Sequence, residues 1–167
     1  GQADINRKGP LKLPNLTALG LGNAIELACG QRAPGIDPVI GGTWGVASET
    51  SHGKDTPSGH WELAGLPVDW DWHYFKDKTQ SFPEELIKSF CEIAGTDGIL
   101  GNCHGSGTEL IRDFGEQHCA SGWPICYTSA DSVFQVAAHE THFGLNRLNE
   151  LCERFAPEVH RLKVGRV

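Results

Sequence analysis

The apolar positions of this chain fall into two kinds of pattern. Leu86, Ile87, Phe90, Cys91 and Ala94 recur with helical spacing, and Gly95 is placed to stop the run. Leu110, Ile111 and Phe114 mark a second helix from near Thr108 to Gly122, and Leu145, Leu148, Leu151, Cys152 and Phe155 a third. Between them, short β-prone runs predict strands at Ile99-Leu100, Pro124 to Thr128 and Val133 to Ala138, with a last strand starting at Val164 to Val167. Toward the start, Leu16, Leu19 and Leu21 predict a short helix that Asn15 can cap and Gly20 or Gly22 can stop. Residues 29–42, rich in Gly and Pro, predict a loop, and Thr43 to Ser48 a strand. Ser81 and Glu84 predict a capping box around Pro83. Alternating strands and helices of these lengths indicate an α/β fold.

The polar segment from Ser51 to Glu62 breaks both patterns. Thr56 stands at a predicted helix start, and Pro57 takes the first helical position, where its missing N–H loses nothing. The helix then runs to about Ala64. Glycines at 53 and 59 leave the backbone open to a bulky ligand, and Lys54 adds positive charge beside free helical N–H groups. This arrangement suits a threonine that takes and returns a phosphoryl group. It also suits a Thr-Pro helix cap with no chemistry, the commoner use of such a helix start. A threonine hydroxyl needs a base or a metal to act as a nucleophile, and His52 and His60, each four residues away, are either donors to the site or simply solvated.

Composition narrows the class. Over 167 residues, 39% hydrophobic and 21% charged content is that of a folded domain. A net charge of -7 with no run of Lys or Arg argues against nucleic acid as a partner. No apolar run approaches the roughly 18 residues of a membrane span. The six cysteines form no C-x-x-C pair, and scattered thiols in a reducing cytoplasm are the expectation. His139-Glu140-Thr141-His142 places two histidines three apart, but it is not H-E-x-x-H and shows no third ligand. Gly101-Asn102, Gly105 and Gly107 lack the Gly-Lys-Ser/Thr ending of a phosphate loop. Tyr127 to Val133 crowds polar side chains at a strand end, either a ligand site or an Asx-turn.

Several long strings carry a resemblance. RKGPLKLPNLTALGLG, GKDTPSGHWELAG, LGNCHGSGTELIRDFGEQH, YTSADSVFQVAAHETHFGL and the closing VGRV run in one order through nearly the whole chain. Together they resemble the phosphopentomutase family of the alkaline phosphatase superfamily. The resemblance implies a piece of a metal-binding core at residues 1–66 and most of an inserted α/β cap domain at 67–167, incomplete at its end. A composition shift at Pro67 to Phe75 falls at that point. It also implies an internal fragment, without the family's first strand and its aspartate, and without the C-terminal half that carries the other Asp and His metal ligands.

The resemblance assigns roles residue by residue. Thr56 would carry the phosphoryl group and touch the metals through its hydroxyl or phosphate. Asp131 would hold sugar hydroxyls, with Ser129 and Val133 shaping the pocket, and Arg166 with Val167 would meet the substrate phosphate. Two divalent ions, usually manganese, would activate Thr56, and a sugar bisphosphate such as glucose 1,6-bisphosphate would prime it. The substrates implied are ribose and deoxyribose phosphates in nucleoside salvage. Cofactor-independent phosphoglycerate mutase shares the core but uses serine, so Thr56 and the Ser-Ala-Asp-Ser string at 129–132 favour the pentomutase. A non-catalytic sugar-phosphate binding module is the other alternative.

Overall fold

The computed structural model describes residues 9–53 and 55–167. The chain divides into two compact units, residues 1–49 and residues 50–167.

In the first unit, helix α1 (Pro14–Ala18) and helix α2 (Leu21–Cys29) replace the single helix that the leucine spacing predicts. Gly20 separates them with a positive φ of 99°. A Cβ at Gly20 would also collide with the indole of Trp44. Thr43 to Ser48 does not form the predicted strand: residues 43–50 have no ladder partner, and Trp44 instead lies over Gly20. Ile36 is the buried hydrophobic side chain of this unit among the described residues.

The second unit begins with helix α3 (Thr56–Leu63) and continues through helix α4 (Glu84–Ala94). Strand β1 (Leu100–His104), helix α5 (Gly107–Ser121) and strand β2 (Ile125–Thr128) form a β-α-β unit with β1 and β2 parallel. Strand β3 (Gln135–Ala137) adds antiparallel to β2, giving the order β1-β2-β3. A π-helical turn (Glu140–Gly144) leads into helix α6 (Leu145–Arg161).

Alternation along β2 sorts the two layers. Ile125 joins Leu100 and Leu110 under α5, while Cys126 faces the larger cluster of Phe82, Phe90, Phe134 and Phe155 with α4 and α6. The partners across the ladder keep the same sides, Ala137 opposite Ile125 and Val136 opposite Cys126. Phe134 stacks on Phe82 at 4.0 Å and meets Phe155 edge-on at 4.8 Å, so aromatic rings fill the space between sheet and helices. Arg147 stitches α6 to α4, stacking on Phe143 and donating to the Ala94 carbonyl at the end of α4.

Two local expectations change, and the Gly101-Asn102 pair takes a structural place. The Ser81–Glu84 capping box is absent, because Ser81 Oγ donates instead to the Asp77 carbonyl and Pro83 occupies the N-cap. The Gly101-Asn102 pair is a bulge in β1, where Asn102 sits at a φ of 53° and its Oδ1 accepts from the Phe82 N–H. The final strand reduces to a single bridge between Val133 and Arg166. Gly95 does close α4, in the left-handed conformation that its position requires. Among the described residues no helix is long and apolar enough to cross a membrane.

Candidate functional site

Thr56 is the first residue of α3, and its side chain is exposed. Asp55 occupies the N-cap in extended conformation but does not cap the helix. Its Oδ2 turns away and accepts the backbone N–H of Ser132. Its Oδ1 is buried and has no hydrogen-bond partner among the described residues. Burial therefore pushes the Asp55 carboxyl above its ordinary value, Asp131 adds to the rise, and the Ser132 N–H and Arg166 oppose it. The rest of α3 is anchored by polar contacts, one of them buried. Buried Ser58 accepts from the Trp72 indole N–H at 2.7 Å. Glu62 accepts from the backbone of Thr50 and Ser51, and the Ser51 hydroxyl and Thr50 amide hold its carboxyl down to about 2.

A second segment meets Thr56 from the sheet. After β2, Thr128 Oγ1 donates to the Val133 carbonyl at 2.7 Å and closes a tight loop over residues 129–132. Ser132, fully buried, donates from Oγ to the His73 carbonyl and accepts from the Gly165 N–H at 3.0 Å. The chain end is docked beside this loop, with the Phe134 N–H donating to the Arg166 carbonyl at 3.0 Å. These bonds carry Asp131 and Arg166 to the start of α3. Thr56 Oγ1 donates to Asp131 Oδ2 at 2.9 Å, and the Arg166 guanidinium donates to the same oxygen at 2.9 Å.

Thr56, Asp131 and Arg166 thus converge. Ser129 stands in the turn, where its Oγ lies 3.5 Å from the Asp131 N–H. Val133 is buried, bridging Arg166 through its backbone, and Val167 packs against the large aromatic cluster. His60 Nδ1 lies 2.7 Å from the Thr56 carbonyl rather than the hydroxyl, and His52 pairs loosely with Asp71 at 3.6 Å. Lys54 lies outside the described residues.

Two aromatic residues to which the sequence assigned no role, Trp72 and Tyr74, complete the surroundings. Asp131, Tyr74, Trp72 and Gly53 line an open cavity of about 410 Å³. Desolvation, followed by the nearby carboxylates of Asp55 and Asp131, raises the Tyr74 hydroxyl's pKa. Gly53 is required here by packing: a Cβ would come within 2.8 Å of the Trp72 ring and 3.1 Å of the Tyr74 hydroxyl. Gly59 meets nothing within 4 Å. The aromatic run at 70–75 was the available signal, since its indole and phenol groups need polar partners when packed.

Among the described residues no two-ion site assembles at Thr56. The Asp131 carboxylate meets the hydroxyl and is itself bound to Arg166, while the neighbouring Asp55 carboxylate is bound to Ser132. Among the described residues, the group of three side chains close enough to share an ion is Cys119, His139 and His142, which excludes Thr56.

No family model matches the chain. Individual relatives do. It is 56% identical over 163 residues to a phosphopentomutase of Hahella chejuensis, covering 96% of this chain and 39% of that protein. It is 54% identical to one of Shewanella baltica strain OS155, covering 100% and 42%. It is 59% identical to one of Photorhabdus laumondii, covering 92% and 38%. The chain spans about two-fifths of the length of the curated relatives it matches. Identity at this level places the chain, over the stretch it spans, in the phosphopentomutase family.

Proposed function

We propose that this chain carries the phosphoacceptor and sugar-binding segments of a phosphopentomutase, which interconverts ribose or deoxyribose 1-phosphate and 5-phosphate through a phosphothreonine at Thr56. The carrying observation is the convergence of Thr56, Asp131 and Arg166 on one carboxylate oxygen. The three groups divide the chemistry between them. The hydroxyl accepts phosphoryl, the carboxylate accepts sugar hydroxyls, and the guanidinium holds phosphate.

In the transfer, Thr56 Oγ forms a bond to the incoming phosphorus, the donor ester bond breaks, and the proton lost by the hydroxyl to solvent is matched by one taken up by the departing donor oxygen. A phosphorylated Thr56 no longer has the proton that it shares with Asp131. The carboxylate is then released to accept hydroxyls of the pentose, and like charge separates it from the new phosphate. Arg166 is left to pair with phosphate oxygens. The cavity beside Asp131 offers aromatic walls from Trp72 and Tyr74 for the sugar.

The family resemblance supports three further parts of the reading. Residues 1–66 belong to a metal-binding core and 67–167 to an inserted cap. Two divalent ions, manganese by that resemblance, would supply electrostatic stabilisation when bound, through ligands other than those described here. Glucose 1,6-bisphosphate primes the enzyme, which serves nucleoside salvage in the cytoplasm.

A direct comparison of substrates tests the reading. A protein of full family length carrying this sequence is assayed with ribose 1-phosphate and with 3-phosphoglycerate. Conversion of the pentose phosphate is expected. Turnover of 3-phosphoglycerate alone would favour the phosphoglycerate mutase alternative, and binding of pentose phosphate without turnover would favour a binding module.

A further inference from the structure

We propose that Cys119, His139 and His142 form a zinc site separate from the Thr56 cluster. The three residues come from two elements, the last turns of α5 and the turn that opens α6. One nitrogen of each imidazole and the Cys119 Sγ lie within 4.8 Å of one another. A tetrahedral zinc ion holds such atoms about 3.3–3.7 Å apart, given Zn–N near 2.0 Å and Zn–S near 2.3 Å. Side-chain rotation of about 1 Å closes that gap. His142 is exposed and Cys119 half-buried, so both are able to turn.

The scaffold beneath the cluster is fixed independently. His118, adjacent to Cys119, is buried and accepts the His139 backbone N–H at Nε2, 2.8 Å away. That acceptance puts its proton on Nδ1, which donates to the Trp123 carbonyl at 2.7 Å. The backbone of His139 is thereby tied to the end of α5 before any ion arrives. Among the described contacts the Cys119 thiol and the His142 ring make no hydrogen bond, whereas the His139 ring is engaged. Its Nδ1 accepts from the N–H groups of Thr141 at 3.1 Å and His142 at 3.4 Å. Zinc at Nδ1 replaces those two bonds. Zinc at Nε2 moves the ring proton to Nδ1 and breaks them as well. In either case the Cys119 thiol releases its proton to solvent and binds as thiolate. Water fills the fourth position.

One thiolate and two imidazoles favour zinc over hard ions such as manganese and magnesium. The bound ion clips the C-terminal end of α5 to the connection between β3 and α6. The sequence shows the two histidines three apart; folding supplies the third ligand from 20 residues earlier, where no spacing rule would place it.

The test is titration of this chain with zinc against a chromophoric chelator, repeated with cobalt to read thiolate-to-metal absorption. One equivalent of zinc is expected, with a cobalt complex showing thiolate charge transfer and no displacement by manganese. Cys119→Ser should abolish that absorption, and Cys119→Ser and His142→Ala should each weaken zinc binding by at least about 10-fold. Cys29→Ser, at an exposed thiol elsewhere, should change nothing. Circular dichroism checks each variant's fold, and exposed His142→Ala carries the test if Cys119→Ser unfolds. A wild-type cobalt complex without thiolate absorption would overturn the proposal. So would zinc affinity unchanged in folded His142→Ala.

Discussion

The Thr56 hydroxyl and the Asp131 carboxylate lie 2.9 Å apart although 75 residues separate them in the chain. Arg166 reaches the same oxygen, so one carboxylate joins the start of a helix, a loop after a strand and the segment that follows α6. The pair Asp131–Arg166 is about one-third exposed, which leaves both groups open to a ligand as well as to each other. An ion pair this open contributes little to stability, roughly 0–1 kcal/mol. Its arrangement is better accounted for by binding.

Asp131→Ala should separate two steps. In a protein of full family length, pentose phosphate turnover should fall by two orders of magnitude or more, about the effect of losing a charged hydrogen bond to substrate. Phosphorylation of Thr56 by glucose 1,6-bisphosphate should continue. Radiolabel transfer followed beside turnover reads both. Equal loss of the two steps would make Asp131 a structural residue of the loop.

Asp55 should give the fold a pH dependence of known sign. Its carboxyl is held above the ordinary 3.8 by burial, so the folded state binds its proton more tightly than the unfolded state. That contribution is present below the unfolded value and is lost as pH rises through the folded value. Denaturant unfolding across this range should show wild type losing stability relative to Asp55→Asn as pH rises. Wild type gaining on the variant would mean that the Ser132 N–H outweighs burial.

Phe155→Ala should be among the most damaging single changes. Phe155 is fully buried and meets Phe90 at 4.9 Å and Phe134 at 4.8 Å, joining α6 to α4 and to the segment before β3. A cavity of that size costs about 3–5 kcal/mol, readable as a lower midpoint in denaturant. A loss below about 1 kcal/mol would show that the aromatic cluster is not the principal core.

Amide exchange should divide the chain as its cores do. Leu16, Leu19 and Leu27 are 49%, 58% and 67% exposed, whereas Phe90, Phe134 and Phe155 are fully buried. Hydrogen exchange by mass spectrometry should therefore find α1 and α2 exchanging much faster than α4, α5 and α6. Uniform protection would contradict this.

The helices of the second unit were legible because their burial is one-sided and local. Leu86, Phe90 and Ala94 repeat on one face, and Gly95 and Gly122 stop the helices where a left-handed residue was needed. The Thr-Pro helix start was legible for a different reason, the proline at a position where its missing N–H loses nothing. The strand expected at Thr43 does not form because branched and aromatic residues signal a strand only if a neighbour exists to pair with it. The capping box failed because Asp77 competes for Ser81 through its carbonyl. Within the candidate site, residue types were readable but partners were not. Nothing in the spacing of Asp55, Ser132 and Gly165 discloses that Ser132 joins them, or that Cys119 stands beside His139 and His142.

On the proposed function, Thr56 takes the phosphoryl group. The direct measurement is peptide mapping by mass spectrometry of a full-family-length protein after incubation with glucose 1,6-bisphosphate and manganese. The account predicts phosphate on the peptide containing Thr56, at that threonine, and none on Thr56→Ala, whose fold should be unchanged within about 0.5 kcal/mol because the side chain is exposed. Phosphate at another residue, or ordinary pentose phosphate turnover by Thr56→Ala, would contradict it.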